Sequence, residues 1–106
     1  MKARSVTFFV TTALMPAVLR RIDEEFLPRF AAVAAFRGLV VLRSEGPRPE
    51  VVALSFWDEQ LESSERISEE FRDEIERMTG ATPARKEYHV SLMAMAGDLT
   101  EPADEA

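Results

Sequence analysis

The segment Val51-Val52-Ala53-Leu54-Ser55-Phe56-Trp57-Asp58 decides the fold of this 106-residue chain. Its β-branched and aromatic residues predict a strand over 51–57. Asp58 is a residue type that accepts hydrogen bonds from the free N–H groups of a helix start. Upstream, the Pro- and Gly-rich turn at 45–49 joins this strand to another apolar run at 36–43. We therefore predict an antiparallel hairpin that leads into a helix.

The N-terminal third of the chain predicts a strand followed by a helix. Residues 5–11 are β-branched and aromatic, as strands prefer. Pro16 suits a first helical turn. Because Pro28 lacks an N–H group, we expect it to kink or break the helix, with a short second piece over 29–35. The apolar face of the helix repeats every four residues, at Leu14, Val18, Ile22 and Phe26.

The C-terminal half predicts a second helix and a closing strand. Gly80 is typical of the left-handed residue that ends a helix, so the helix is expected over 58–80. The last strand is predicted over 85–95. Residues 97–106 are acidic, and we expect them to form a disordered tail after a single domain that spans 1–96. The buried stripe of the second helix is predicted at Leu61, Ile67, Phe71, Ile75 and Met78.

This order of elements predicts an α+β fold, a ferredoxin-like βαββαβ sandwich with two helices on one face of a four-stranded antiparallel sheet. The strands nevertheless have apolar residues at both even and odd positions, such as Val6 and Phe8 on one face and Phe9 on the other. A sheet that is apolar on both faces needs a second cover, and another copy of the same sheet provides it. We expect a homodimer that packs through its sheet faces.

Composition excludes several classes of function. A net charge of −6 and a pI near 4.8 argue against binding to a phosphate backbone, so no nucleic-acid partner is predicted. The absence of cysteine excludes thiol catalysis and fits a reducing cytoplasm. The apolar run 6–18 lacks a signal-peptide cleavage site, and no segment reaches the ~20 apolar residues that span a membrane. The carboxylates along 59–76 alternate with arginines on an outward stripe, so no metal site is predicted. We expect a cytoplasmic protein without a membrane partner.

The chain resembles the antibiotic-biosynthesis-monooxygenase-like domains of the dimeric α/β-barrel superfamily at two places. These are Phe36-Arg37-Gly38 at the start of the second strand, and the strand 51–57, which runs into an acidic helix start. The resemblance covers residues 5–92 and implies a dimeric α/β barrel. The family includes cofactor-free oxygenases of aromatic polyketides, haem-degrading oxygenases and members of no known activity. The haem-degrading template has an asparagine on strand one, and a tryptophan and a histidine on helix two. This chain has no asparagine, Trp57 ends a strand, and helix two has no histidine, which excludes that branch.

The cofactor-free branch implies a substrate that is itself deprotonated and passes an electron to oxygen, so that the protein supplies a dry cavity and a proton acceptor but no cofactor. His89, the only histidine, is the candidate catalytic base because its ordinary pKa lies near neutrality. Strand parity assigns further residues to a mixed-polarity face, which we place in a pocket beneath the helices, with the dimer interface as the alternative. The substrate-binding candidates on this face are Thr7, Phe9, Ser55, Trp57 and Ser91.

These candidates also have plainer interpretations. A single strand histidine is more often a packed or edge residue, and Trp57 is suited to fill core volume. Two functions therefore remain. One is a cofactor-free monooxygenase acting on a small aromatic or polyketide-type substrate; the other is a noncatalytic dimeric domain for small-ligand binding or assembly. An enclosed pocket touching His89 or Trp57 favours the first, and a filled space between sheet and helices favours the second.

Overall fold

The structure, a computed structural model, describes residues 1–58 and 62–96. The predicted α+β fold with ferredoxin-like order is confirmed. The predicted tail at 97–106 lies outside the described residues. No helix in the described part of the chain is both long enough and apolar enough to cross a membrane. The elements are β1 (Lys2–Phe9), α1 (Met15–Arg21), a π-helical turn (Ile22–Phe26), α2 (Leu27–Ala31), β2 (Phe36–Arg43), β3 (Glu50–Trp57), α3 (Glu62–Thr79) and β4 (Ala84–His89).

The four strands form one antiparallel sheet in the order β2-β3-β1-β4. The central strand β1 pairs with β3 along its whole length and with β4 from Lys2 to Thr7. Ala3 lies opposite Phe56 on β3 and Tyr88 on β4, and Thr7 lies opposite Val52 and Ala84. Residues opposite one another share a face of the sheet, so this register fixes which side chains meet.

The helices cover one face of the sheet, and the core lies between the two layers. An aromatic cluster occupies its centre. The ring of Phe30 meets Trp57 and Phe71 edge-on, each at a centroid distance of 5.7 Å. Phe36 meets Trp57 at 5.3 Å and Phe26 meets Phe71 at 5.1 Å, in the edge-to-face arrangement that aromatic pairs prefer. One set of rings therefore holds together the π-helical turn, α2, β2, β3 and α3.

The regular α-helix is interrupted before Pro28 and resumes as the short second piece α2, as the sequence predicts, but helical structure does not end at the interruption. The helix instead widens into a π turn, in which the Leu27 N–H donates to the Ile22 carbonyl five residues earlier. A proline ring at 28 would clash with the carbonyl of residue 24 in a regular α-helix, and the wider turn makes room for it. Helical structure then continues to Ala31, four residues short of the predicted end at 35.

The last strand is shorter than predicted, since β4 ends at His89 and not at residue 95. Its ladder continues only to Val90, whose N–H donates to the Met1 carbonyl at 3.0 Å. Because β1 begins at Lys2, the chain beyond Val90 has no facing strand with which to pair. A run of apolar residues predicts a strand, but a strand also requires a partner strand.

Helix α3, which is the second helix of the sequence prediction, ends where the sequence predicts. Gly80 has φ +82°, a left-handed conformation that favours glycine, and its N–H donates to the Glu76 carbonyl at 2.8 Å. At the other end, the predicted helix start at Asp58 involves residues 59–61, which lie outside the described residues. The Asp58 carboxylate pairs with Arg37, and this ion pair ties β2 to the end of β3. Arg37 also donates to the Phe36 carbonyl on its own strand.

Candidate functional site

A buried arginine lies on the helix-covered face of the sheet. Arg4 on β1 is 1% exposed and points at α3. Its guanidinium donates to the hydroxyls of Ser64, at 3.1 Å, and Ser68. It also pairs with Glu65 at 2.8 Å and with Glu87 on β4 at 3.0 Å. This group therefore anchors α3 to the two strands beneath it.

Arg85 completes this group, which we call the Arg4 cluster (Arg4, Ser64, Glu65, Ser68, Arg85 and Glu87). Arg85 donates to Glu65 at 3.0 Å. That hydrogen bond, helped by the charges of Arg4 and Arg85, holds the pKa of the Glu65 carboxyl below its ordinary value of 4.5, against the opposing effect of partial burial. The cluster was not predicted from the sequence, although two serines spaced four apart on the inner side of a helix are a signal for a buried polar partner.

Trp57 and Ser55 belong to the core. Trp57 is fully buried, and its indole N–H donates to the Ser55 hydroxyl at 2.8 Å. The Ser55 hydroxyl in turn donates to the Arg4 carbonyl at 3.3 Å. The rings of Phe30 and Phe36 pack against the indole. Side chains from both layers thus fill the space around Trp57, and the expectation of a pocket beneath the helices with Ser55 and Trp57 in its wall is wrong.

The strand register explains this error. Thr7 lies opposite Val52, so odd residues of β1 share a face with even residues of β3. Thr7 and Phe9 consequently lie on the open face of the sheet, whereas Ser55 and Trp57 face the helices. Alternation within a strand predicts two sets of side chains, but it does not say which sets of neighbouring strands coincide. The four residues therefore do not share one face.

The open face of the sheet holds the candidate site, a depression of about 670 Å³. Its floor is made of short side chains of β1, and the larger side chains of β3 and β4 rise on either side. We call it the open-face depression. Its lining residues are Ala3, Ser5 and Thr7 from β1, Val52, Leu54 and Phe56 from β3, Tyr88 and His89 from β4, and Val90, Ser91 and Leu92 beyond β4.

Three of the six predicted site residues meet at this depression, namely Thr7, His89 and Ser91. Phe9 lies on the same face but outside it, half-exposed beneath the Arg48 guanidinium at 4.7 Å. His89 lies opposite Lys2, whose parity on β1 is that of the helix-facing Arg4. His89 is exposed at the end of the sheet and borders the depression at its rim. Alternation along β4 directs Tyr88, not His89, over the open face.

Several carboxylates of α3 pair with arginines. Glu70 pairs with Arg29, and with Arg66 at 3.2 Å. Glu74 pairs with Arg21 and with Arg77. In the part of the chain that the structure describes, no three His, Asp or Glu side chains converge as a metal site would require.

Known structures share this architecture, although no protein-family model and no curated protein matches the chain. A monooxygenase of Streptomyces coelicolor, ActVA-Orf6, in complex with nanaomycin D, has a TM-score of 0.69 at 13% identity over 89% of this chain and 90% of that chain. A putative antibiotic biosynthesis monooxygenase of Bordetella bronchiseptica has a TM-score of 0.63 at 12% identity, over 86% and 97%. The chain has the fold of these proteins.

A dimeric ferredoxin-like protein from an uncultured marine organism also aligns, with a TM-score of 0.62 at 10% identity over 89% of this chain and 92% of that one. The predicted resemblance to antibiotic-biosynthesis-monooxygenase-like domains is confirmed at the level of the fold. At these identities the likeness carries no residue roles and no substrate from one protein to the other.

Proposed function

We propose that this protein is a homodimeric domain that binds a small aromatic molecule in the open-face depression, with a second copy closing the site. The observation that carries the proposal is the depression itself, in the middle of an exposed apolar sheet face. Its volume of about 670 Å³ lies within the ~300–1,000 Å³ range of small-molecule sites. The filled core around Trp57 supports this location over one beneath the helices.

The arrangement of side chains around Ala3 supports an aromatic ligand. Phe56 and Tyr88 lie opposite Ala3 on the two neighbouring strands, so two rings flank one methyl group. Strands are about 4.8 Å apart, which places the two flanking Cα atoms roughly 10 Å from each other. A flat ring system fits between such walls and stacks on them. The hydroxyls of Ser5 and Thr7 follow along the floor and are suited to bond substituent oxygens.

The character of the rest of the open face supports the second copy. Val40 and Leu42 on β2 are exposed, Leu42 to 52%, and Tyr88 is exposed on β4. In a chain of which 30% is charged, the charged side chains of this face lie at its margins and are Lys86, Glu50 and Arg48. Depletion of charge together with exposed aromatic and aliphatic side chains is typical of interface cores.

Titration calorimetry tests the ligand proposal. The probes are nanaomycin D, an anthrone and a hydroquinone, each added to the wild-type protein and to two variants. Ala3→Leu fills the floor between Phe56 and Tyr88, and we expect it to weaken binding at least ~10-fold. Trp57→Phe, on the helix-facing side, is the matched control and should leave the affinity unchanged. The proposal is contradicted if none of the three probes binds the wild type, or if the two variants lose affinity equally.

A second candidate function is cofactor-free oxygenation of the bound aromatic molecule. The observation that favours it is His89 at the rim of the depression, beside Tyr88. A base there would take a phenolic proton from the substrate, which then passes an electron to oxygen. Oxygen uptake with hydroquinones and anthrones tests it. We expect His89→Ala to lose the activity; equal rates in both proteins contradict the role of His89, and no uptake by the wild type contradicts the oxygenase.

A further inference from the structure

The chain leaves the sheet at Val90, on the side of the open face. The Val90 N–H bond to Met1 is the last of the β1–β4 ladder. The following residues are not in a strand, and Ser91 and Leu92 line the open-face depression beside Phe56. The segment 91–96, which we call the C-terminal arm, thus begins on the side of the sheet opposite the helices.

The C-terminal arm is apolar, uncharged and exposed. Its sequence is Ser-Leu-Met-Ala-Met-Ala, between the charged strand β4 and the acidic residues from 98 onward. Leu92 is 88% exposed, Met95 62% and Met93 47%. Large apolar side chains exposed in succession mark a surface that another surface covers. A single copy offers the arm only the edge of its own depression.

We infer that the arm of each copy crosses to the second copy and closes that copy's open-face depression, so that Leu92 and Met93 of one chain complete the ligand site of the other. This inference rests on the proposed homodimer. The arm and the centre of the open face both lack Asp, Glu, Lys and Arg side chains, and both occur in every copy, so a two-fold axis joins each arm to one depression. Methionine side chains are adaptable and pack well on aromatic rings, which suits them to cover a flat ligand.

Methionine oxidation tests the crossing in the native protein. Wild type, at a concentration where light scattering reports a dimer, is treated with dilute hydrogen peroxide beside the open-face variant Leu42→Asp, which is expected to be monomeric. Peptide masses then give the oxidation rates of Met93 and Met95, with buried Met15 as the internal reference. We expect both rates to be at least about fivefold lower in the dimer. Equal rates in the two proteins overturn the inference, including the case in which each arm covers its own depression.

A substitution in the arm separates this inference from the proposed dimer. Leu92→Asp is expected to weaken dimerisation and aromatic binding on the order of 10- to 100-fold, because each dimer loses two buried leucines. Ala17→Asp is the matched control, because Ala17 is exposed on α1, and it should change neither dimerisation nor binding. A Leu92→Asp protein that dimerises and binds like wild type overturns the arm inference while the dimer stands. A wild-type protein that is monomeric contradicts the proposed dimer itself, and with it the arm inference.

Discussion

Replacing Arg4 with methionine should lower the free energy of unfolding by about 2–4 kcal/mol. The guanidinium is buried and bonds to Ser64 and Ser68, two hydroxyls that are themselves buried. A hydrogen bond between a charged group and a buried partner is worth about 1.5–3 kcal/mol. The carboxylates of Glu65 and Glu87 are about half exposed, at 45% and 50%, so each of those pairs contributes only ~0–1 kcal/mol.

Two effects offset part of this loss. Methionine keeps most of the apolar stem of arginine in place, and the cost of removing a guanidinium from water disappears with the charge. The net loss of ~2–4 kcal/mol is a large share of the ~5–15 kcal/mol that stabilises a typical domain. The variant should therefore unfold at a clearly lower urea concentration.

The assay is urea unfolding followed by the fluorescence of Trp57, which is the only tryptophan and is fully buried. Arg66→Met is the matched control, because Arg66 is 92% exposed and its ion pair with Glu70 lies at the surface. We expect that control to lie within ~0.5 kcal/mol of wild type. Equal effects of the two substitutions, or an Arg4→Met protein as stable as wild type, would refute the role given to the Arg4 cluster.

Three further predictions use the same unfolding assay. Because Arg85, and then Arg4, lower the pKa of Glu65, its contribution to stability is present above its ordinary pKa and is lost as the pH falls through the folded value. The deficit of Glu65→Gln relative to wild type should thus be present at about pH 7 and shrink as the pH falls below the ordinary value of 4.5. A deficit that persists in acid contradicts this. Ser55→Ala leaves the buried indole N–H of Trp57 without its acceptor and should cost about 1–3 kcal/mol. Gly80→Ala meets no neighbouring atom but is strained at φ +82°, so a loss of about 1 kcal/mol is expected, and no loss would mean that the left-handed cap is absent.

The sequence was sufficient for the order of elements because local patterns decide it. The strand at 51–57, the turn before it and the left-handed Gly80 each follow from the residue types present. The site was harder to predict from the sequence, because it depends on the register between neighbouring strands. The pairing of Thr7 with Val52 places Ser55 and Trp57 away from the depression, and parity within a strand contains no such information.

Two other features escaped the sequence because they depend on contacts distant along the chain. A strand arginine such as Arg4 reads as exposed until Ser64 and Ser68, some sixty residues later, supply its partners. The end of β4 is set by where β1 begins, so the apolar arm after Val90 reads as more strand. Both features arise from tertiary structure overriding a local preference.

The mass of the protein in solution is the most direct test of the central claim, that two copies pair through the open sheet face. Light scattering at micromolar concentration should give twice the chain mass of 11.9 kDa for wild type. The Leu42→Asp variant, with a charge in the middle of that face, should give close to 11.9 kDa. A wild-type mass near 11.9 kDa, or a dimer that Leu42→Asp leaves intact, would contradict the claim.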